Sequence, residues 1–268
     1  MKKSIPYKNA NLVYHVYGKE TPLILLHGFA ETNTIWQKQS EFLSNYYMVI
    51  VPDLPGSGES DMFDTSYRNL SIDELAECIH SITNKENIDQ CIMLGHSMGG
   101  YVVLSYTEKY ARSLKAFGLI HSTAFADSKE KKQNRKRGIE MMDVYGGHAF
   151  LKTTTPNLFT DAFRRQNTAV VNQLVEEGRS FKKENLQQYY YAMMQREDKL
   201  HVLKKSAVPV LFVLGMEDVA APLNDVLSQV HEPEIAYIHI IEHTGHMSML
   251  ETPDKLNRIL KNFVNETK

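Results

Sequence analysis

The chain has 268 residues, of which 43% are hydrophobic, so it is long enough to bury a large core in one domain, or in one domain with an insertion. Its formal net charge of −2 at pH 7 gives no sign of the basic surface that nucleic-acid-binding proteins carry. No segment approaches the roughly 20 apolar residues of a membrane helix, and residues 4–16 lack the apolar stretch of a signal peptide. We therefore expect a cytoplasmic protein without a membrane span.

Strand-like and helix-like stretches alternate up to residue 121. The strand-like runs are 23–26, 49–51 and 91–94, which are short and apolar, and a glycine follows each of them, at 28, 56 and 95. Between the second and third runs, Ser71 and Glu74 form the capping box of a helix, and apolar residues follow at helical spacing. Such alternation predicts a parallel sheet with crossover helices.

The segment 95–100, Gly-His-Ser-Met-Gly-Gly, is the most informative stretch of the chain. It lies between the apolar run 91–94 and a helix-like run at 101–106. A strand, a Gly-x-Ser-x-Gly turn and a helix, in that order, are typical of a nucleophile elbow, which exposes a strained serine above the sheet. Small residues at 95 and 99 avoid collisions where the strand and the helix come close. The motif predicts Ser97 as a nucleophile, with the Met98 N–H aimed at the same spot.

The pattern changes after residue 121. Residues 127–137 are densely charged and predict an exposed helix, and helical, polar sequence continues to about 205 without a clear strand. We expect a helical cap at 122–205, inserted into a core formed by 1–121 and 206–268. The apolar residues of this segment line either a substrate pocket or the interior of the cap itself: Met141, Met142, Tyr145, Phe150, Leu158 and Phe159.

Two further strand-like runs end close to candidate catalytic residues. The run 208–214 is followed by Glu217 and Asp218, and the run 235–241 is followed by His243 and His246. A nucleophile, an acid and a base, each placed after a strand, make up a Ser-His-Asp triad. The chain order of serine, acid and histidine is that of the α/β-hydrolase fold.

On these residues the chain resembles the α/β-hydrolase superfamily, and within it the small carboxylesterase and lipase-like members with a helical cap. Residues 23–29 resemble the strand and His-Gly-x oxyanion loop, 49–60 the next strand and its glycine turn, and 245–253 the segment around the base. The resemblance implies a mostly parallel central sheet of about eight strands flanked by helices. It also implies Asp218 rather than Glu217 as the acid, and the Phe29 N–H as a second oxyanion donor beside Met98.

The combined prediction is a serine hydrolase that cleaves a small carboxylic ester through an acyl-enzyme. Ser97 attacks, His246 transfers the proton, and Asp218 orients His246. No cofactor is expected, the partner is a small ester-like molecule, and the sequence indicates no oligomeric state. A carbon–carbon bond hydrolase, a thioesterase, a lactonase and a perhydrolase remain alternatives on the same triad, and a small-molecule receptor is the non-enzymatic alternative.

Other histidines leave further alternatives. His243 competes with His246, which is favoured by the preceding Gly245. His239, His243 and His246 also have a spacing compatible with metal binding, but the first lies in a strand-like run and the others in a loop, so we expect no metal site. Possible pocket residues, for which bracing or packing is the alternative role, are His27, His96 and Trp36.

Overall fold

The computed structural model describes residues 1–64 and 69–268. These residues form one eight-stranded sheet with the strand order β1-β2-β4-β3-β5-β6-β7-β8. The strands are β1 Lys2–Tyr7, β2 Ala10–Tyr17, β3 Pro22–Leu26, β4 Met48–Pro52, β5 Cys91–His96, β6 Leu114–Ile120, β7 Val210–Gly215 and β8 Ala236–Ile241.

The first two strands pair differently from the rest. β1 pairs antiparallel with β2, and β2 pairs antiparallel with β4. All other neighbours are parallel, which confirms the predicted, mostly parallel sheet. The β1–β2 hairpin was not predicted. β1 alternates exposed and more buried positions, and such half-exposed strands have no continuous apolar run to signal them.

Helices cover both faces of the sheet. Side chains of α2 and α3 form one apolar core with alternate strand residues, and α1 and α12 form a second core on the opposite face. The helices are α1 Gln37–Leu43, α2 Ile72–Lys85, α3 Met98–Tyr110, α4 Lys129–Tyr145, α5 Gly147–Thr154, α6 Asp161–Gln166, α7 Thr168–Glu177, α8 Lys183–Gln195, α9 Leu200–Lys204, α10 Leu223–Leu227, α11 Ser248–Glu251 and α12 Pro253–Thr267.

The capping box predicted for α2 is present. The Ser71 hydroxyl accepts from the Glu74 N–H at 3.2 Å, and the Glu74 carboxylate accepts from the Ser71 N–H at 3.3 Å. Two otherwise unpaired backbone donors are thereby satisfied, which fixes where the helix begins. No helix of the described residues combines the length and apolarity that crossing a membrane requires.

The chain between β6 and β7 is described throughout and contains only helices and loops, from α4 to α9. This agrees with the predicted helical insertion, while its bounds at 122 and 205 and its role as a cap stay predictions. Met142 and Phe150 pack inside a small apolar core of the insertion. Met141 and Tyr145, by contrast, are 37% and 69% exposed, so they face outward.

The charged run 127–137 differs in part from its prediction. Lys129, Lys136 and Arg137 are exposed on α4 as expected. Asp127 is buried and Arg135 is only partly accessible, and the two form an ion pair at 2.6 Å. The run therefore combines a solvated face with one ion pair, Asp127 and Arg135, that faces inward.

Candidate active site

The predicted nucleophile, acid and base all lie at one edge of the sheet. Ser97 directly follows β5, Asp218 follows β7, and His246 lies in the loop after β8. Strands β5 to β8 are parallel neighbours, so their carboxyl ends meet at the same edge. This edge is where ligands bind in open α/β sheets.

Ser97 occupies a strained turn between β5 and α3. Its φ of 50° and ψ of −115° lie outside the regions that a serine ordinarily adopts. Three hydrogen bonds hold the turn: the Ser97 N–H donates to Ile120 O, and Ser97 O accepts from the Gly100 N–H and the Ser122 hydroxyl. The side chain is half-buried, so its hydroxyl is partly accessible.

Two glycines permit this turn. A Cβ on Gly95 would lie 2.3 Å from the backbone of Gly99, and a Cβ on Gly99 would lie 2.6 Å from Leu26 O. Both distances are far below van der Waals contact. Close approach of α3 to the strands therefore explains the small residues that the elbow motif contains.

Asp218 and His246 are buried and in direct contact. His246 Nδ1 lies 2.8 Å from Asp218 Oδ2 and 3.0 Å from Oδ1. Burial lowers the pKa of His246, but the charge and hydrogen bond of Asp218 raise it by more than burial lowers it. The pKa of His246 is therefore raised above the ordinary value of 6.5. For Asp218 burial raises the pKa and the two histidines lower it more, which keeps the carboxyl ionised. With Nδ1 donating to Asp218, Nε2 is left as the basic nitrogen of His246.

The residue before Ser97 contacts His246, although within residues 1–64 and 69–268 no hydrogen bond joins the Ser97 hydroxyl to His246. The preceding residue, His96, has its ring 4.8 Å from the His246 ring and donates from Nε2 to His246 O at 2.9 Å. Nucleophile–base hydrogen bonds are often long before substrate binds. The contact between Ser97 and His246 in turnover stays a prediction.

Two backbone N–H groups near Ser97 are unpaired. Neither the Phe29 N–H nor the Met98 N–H donates to any acceptor in the described part of the chain. A Cβ on Gly28, which precedes Phe29, would lie 3.2 Å from Ser97 Cβ, so the loop adjoins the serine. Phe29 is half-buried and Met98 is fully buried, positions at which unpaired backbone donors are rare, and the two match the expected oxyanion donors.

A buried carboxylate holds the loop that carries Phe29. Glu31 accepts from the Gly28 N–H at 2.6 Å and from His96 Nδ1 at 3.0 Å. Burial raises the pKa of Glu31, but the charge and hydrogen bond of His96 lower it more, so the carboxylate is ionised. His96, which contacts Glu31 through Nδ1 and His246 O through Nε2, thereby links the Phe29 loop to the loop of His246.

His121 is a second histidine on the acid, and sequence reasoning missed it. Its Nδ1 lies 3.0 Å from Asp218 Oδ2, and its Nε2 lies 2.8 Å from the Ser248 hydroxyl. Burial lowers the pKa of His121 to about 4, against the opposing effect of Asp218, so the ring is neutral near pH 7. A usable signal was present, because His121 directly follows a strand that ends at the same sheet edge.

Glu251 links the loop of His246 to the helical insertion. Its Oε1 accepts from the Gly245 N–H at 3.0 Å and from the Met247 N–H at 3.3 Å, and its Oε2 accepts from the Thr160 N–H at 3.0 Å. In addition, the His246 N–H donates to Leu158 O of the insertion at 2.7 Å. The backbone on both sides of His246 is therefore fixed by groups that sequence patterns did not identify.

The three possible pocket residues are all fully buried. His27 Nδ1 donates to Gly28 O at 2.8 Å, and its Nε2 accepts from the Leu54 N–H at 2.9 Å, which braces the oxyanion loop. Trp36 packs edge-on against His96, with the ring centroids 6.4 Å apart. These contacts give each residue a structural role, and contact of any of them with substrate stays a prediction.

The alternative residues lie apart from the site. His243 is exposed, with its Nδ1 3.7 Å from Glu217, and His239 lies partly exposed in β8. In the described residues, the one group of three side chains close enough to share a metal is a different set: His121, Asp218 and His246. Their facing atoms hydrogen-bond to one another, which suits an oriented histidine better than an ion.

The comparisons with known proteins agree with this fold. In sequence, the chain is 26% identical to the dihydrolipoyllysine-residue acetyltransferase component of the acetoin cleaving system of Pseudomonas putida, over 91% of this chain and 63% of that protein, so it spans less than two thirds of this relative. It is 23% identical to the (E)-2-((N-methylformamido)methylene)succinate hydrolase of Acinetobacter baylyi, over 97% and 96% of the two chains.

The structural comparison covers the whole chain. A thermophilic esterase from Thermogutta terrifontis, solved with malate bound, superposes with a TM-score of 0.92 at 24% identity, over 100% of this chain and 99% of that one. Other structural neighbours are esterases and an enol-lactonase. The model of the Ndr family matches residues 28–267. The chain belongs to the Ndr family, and its fold is that of the α/β-hydrolases.

Proposed function

We propose that this protein is a serine hydrolase that cleaves a small carboxylic ester through an acyl-enzyme intermediate. The observation that carries the proposal is the convergence of three features at one sheet edge. They are the strained Ser97, the buried Asp218–His246 pair, and the unpaired N–H groups of Phe29 and Met98. Such a set is what acyl transfer requires.

In the acylation step, Ser97 Oγ attacks the ester carbonyl while His246 Nε2 takes the hydroxyl proton. Asp218, which accepts from Nδ1, fixes the tautomer that leaves Nε2 basic and stabilises the imidazolium that forms. The Phe29 and Met98 N–H groups donate to the oxyanion, and each such donor contributes roughly 3–4 kcal/mol to transition-state stabilisation. His246 then returns the proton to the leaving alcohol.

In the deacylation step, a water molecule gives its proton to His246 Nε2 and attacks the acyl carbonyl. The bond to Ser97 Oγ breaks, the proton returns to that oxygen, and the carboxylic acid leaves. The net reaction is ester plus water to acid plus alcohol. The scheme uses only side chains and backbone groups of the chain, with a small molecule as the partner.

The test is rapid mixing with p-nitrophenyl acetate. We expect a burst of p-nitrophenol close to one equivalent of enzyme if deacylation is slower than acylation, followed by steady turnover. Ser97→Ala keeps the fold, checked by circular dichroism, and loses turnover by a factor on the order of 10⁴ or more.

A folded wild-type protein that hydrolyses no member of a panel of p-nitrophenyl esters, thioesters and lactones above the background rate contradicts the proposal. In that case a receptor for small molecules becomes the better account of the site. A Ser97→Ala variant that retains a tenth of the wild-type rate places the nucleophile elsewhere.

A further inference from the structure

One charged cluster of the insertion carries more positive than negative charge. Two arginines share the buried carboxylate of Asp127: Arg135 Nε lies 2.6 Å from Oδ2, and Arg196 Nη1 lies 2.8 Å from Oδ1. We call Asp127, Arg135 and Arg196 the arginine cluster, and its net charge is +1. Removing a charge from water is costly unless an opposite charge compensates it, so the cluster favours an additional anion.

Arg196 is fully engaged in holding the fold. Besides Asp127, its guanidinium donates to Met193 O at 2.7 Å and to Phe125 O at 2.9 Å, and it stacks 3.8 Å from the centre of the Tyr101 ring. Its side chain is almost completely buried. Arg196 therefore compensates Asp127 and joins two segments of backbone.

Arg135 retains donor capacity. Among residues 1–64 and 69–268, its side-chain partners are Asp127 and Tyr190, whereas a guanidinium has five N–H donors. Its side chain is still 19% exposed, which leaves room for a ligand to reach it. Arg135 is therefore the arginine of the cluster whose N–H groups can bind a further anion.

Arg135 points toward the predicted oxyanion loop. It lies on the face of α4 that also carries the buried Ile139 and Met142. Its guanidinium is 5.1 Å from the centre of the Tyr190 ring, and that ring is 4.6 Å from the ring of Phe29. Phe29, Tyr190 and Ser97 are all half-buried rather than closed off. The Tyr190 ring therefore contacts both the Arg135 guanidinium and the Phe29 ring.

We propose that Arg135 binds a carboxylate at the far end of the acyl chain, so that the preferred substrate is a monoester of a dicarboxylic acid. The aromatic rings of Phe29 and Tyr190 contact the methylene chain between the reacting carbonyl and the carboxylate. A planar carboxylate pairs well with a guanidinium and brings the net charge of the arginine cluster to zero. This inference rests on the proposed esterase function and names its substrate class.

The test compares charged and neutral esters of equal shape. The probes are p-nitrophenyl monoesters of adipic and suberic acid, each paired with its methyl-capped diester. We expect the wild type to show a kcat/KM about tenfold or more higher for one of the free acids than for its capped partner, chiefly through a lower KM. Arg135→Gln abolishes that preference and leaves turnover of the capped ester within about twofold of wild type.

Two features make the variant informative. Arg135→Gln leaves Asp127 paired with Arg196 as a neutral pair, so the variant is expected to fold, which its melting temperature checks. Arg137→Gln is the matched control, because it removes an equal charge from an exposed position of the same helix, and it keeps the preference. A wild type without a preference, or an Arg135→Gln variant that retains it, overturns the inference while the esterase function stands.

If no ester of either kind is turned over, the esterase proposal fails. The carboxylate site at Arg135 is then tested on its own, by measuring the binding of a dicarboxylate. Calorimetry with adipate then compares the wild type with Arg135→Gln. Binding to the wild type that is weakened at least tenfold in the variant supports the carboxylate site. Equal binding by the two proteins, or no binding to the wild type, overturns it.

Discussion

The carboxyl edge of the sheet and the helical insertion pair their buried charges in different ways. At the edge, the Asp218 carboxylate is shared by two histidines, and Glu31 is matched by His96. In the insertion, Asp127 is shared by two arginines, and one positive charge is left over. At the edge each of these buried carboxylates is hydrogen-bonded by histidines, whereas in the insertion two arginine charges face one carboxylate, and the excess positive charge favours an anionic ligand. On the two proposals above, the strand ends carry the chemistry and the insertion carries the selectivity.

The strongest effect within the edge is expected from His246→Ala. Loss of the base leaves the Ser97 hydroxyl without a proton acceptor, so kcat should fall by a factor on the order of 10⁴ or more. Steady-state turnover of p-nitrophenyl acetate measures it. The control is His243→Ala, an exposed residue of the same loop, which should stay within about twofold of wild type. An inactive His243→Ala variant together with an active His246→Ala variant would make His243 the base instead.

A smaller loss is expected at His121, which orients the acid without contacting the nucleophile. His121→Asn tolerates the positive φ of 51° at this position but loses the imidazole that spans Asp218 and Ser248. One charge-assisted hydrogen bond contributes about 1.5–3 kcal/mol, so we expect kcat to fall at least tenfold with little change in KM. His239→Asn, in the half-exposed part of β8, is the control. Unchanged kcat in a folded His121→Asn would remove His121 from the positioning of Asp218.

Glu251→Gln tests the connection between the two regions. The amide nitrogen of glutamine cannot accept a hydrogen bond, so the variant loses the contacts to Gly245 and Met247 or the one to Thr160. We expect kcat to fall by about tenfold and unfolding to occur at a lower denaturant concentration. Glu242→Gln makes the same charge change at an exposed position of this loop and should have no effect. Wild-type kcat in Glu251→Gln would show that Glu251 does not position His246.

The smallest effects concern pH and metal ions. The pKa of His246 is raised above 6.5 and His246 must be neutral to act, so kcat/KM should rise with pH through a single ionisation above 6.5. His121, with a pKa of about 4, adds no ionisation in this range. EDTA should leave the rate unchanged. Activity that is lost on chelation and restored by zinc would instead assign a metal to His121, Asp218 and His246.

Residues that follow a strand were within reach of sequence reasoning. Ser97 and the fold were predicted because a strand, a turn and a helix leave local patterns. Asp218 and His246 have the same kind of local signal, since each follows an apolar run that ends at the carboxyl edge. Their contact at 2.8 Å agrees with the predicted pairing, while their catalytic roles stay predictions.

The contacts that hold these residues in place lack a local signal, although the position of His121 directly after β6 was itself readable. Glu31 contacts His96 across 65 positions of sequence, and His121 contacts Asp218 across 97. The arginine cluster combines a loop, α4 and the end of α8, and within the charged run 127–137 nothing marks Asp127 and Arg135 as the inward pair. Such contacts depend on how the elements pack, which residue spacing alone does not determine.

The most direct measurement of the central claim is the covalent labelling of Ser97. The protein is treated with diethyl p-nitrophenyl phosphate, which phosphorylates activated serines, and the modified peptide is identified by mass spectrometry. We predict one adduct per chain on Ser97, with inactivation in proportion to labelling, and no adduct on His246→Ala under the same conditions. An enzyme that hydrolyses esters but is labelled at another residue, or not at all, would contradict the assignment of Ser97 as the nucleophile.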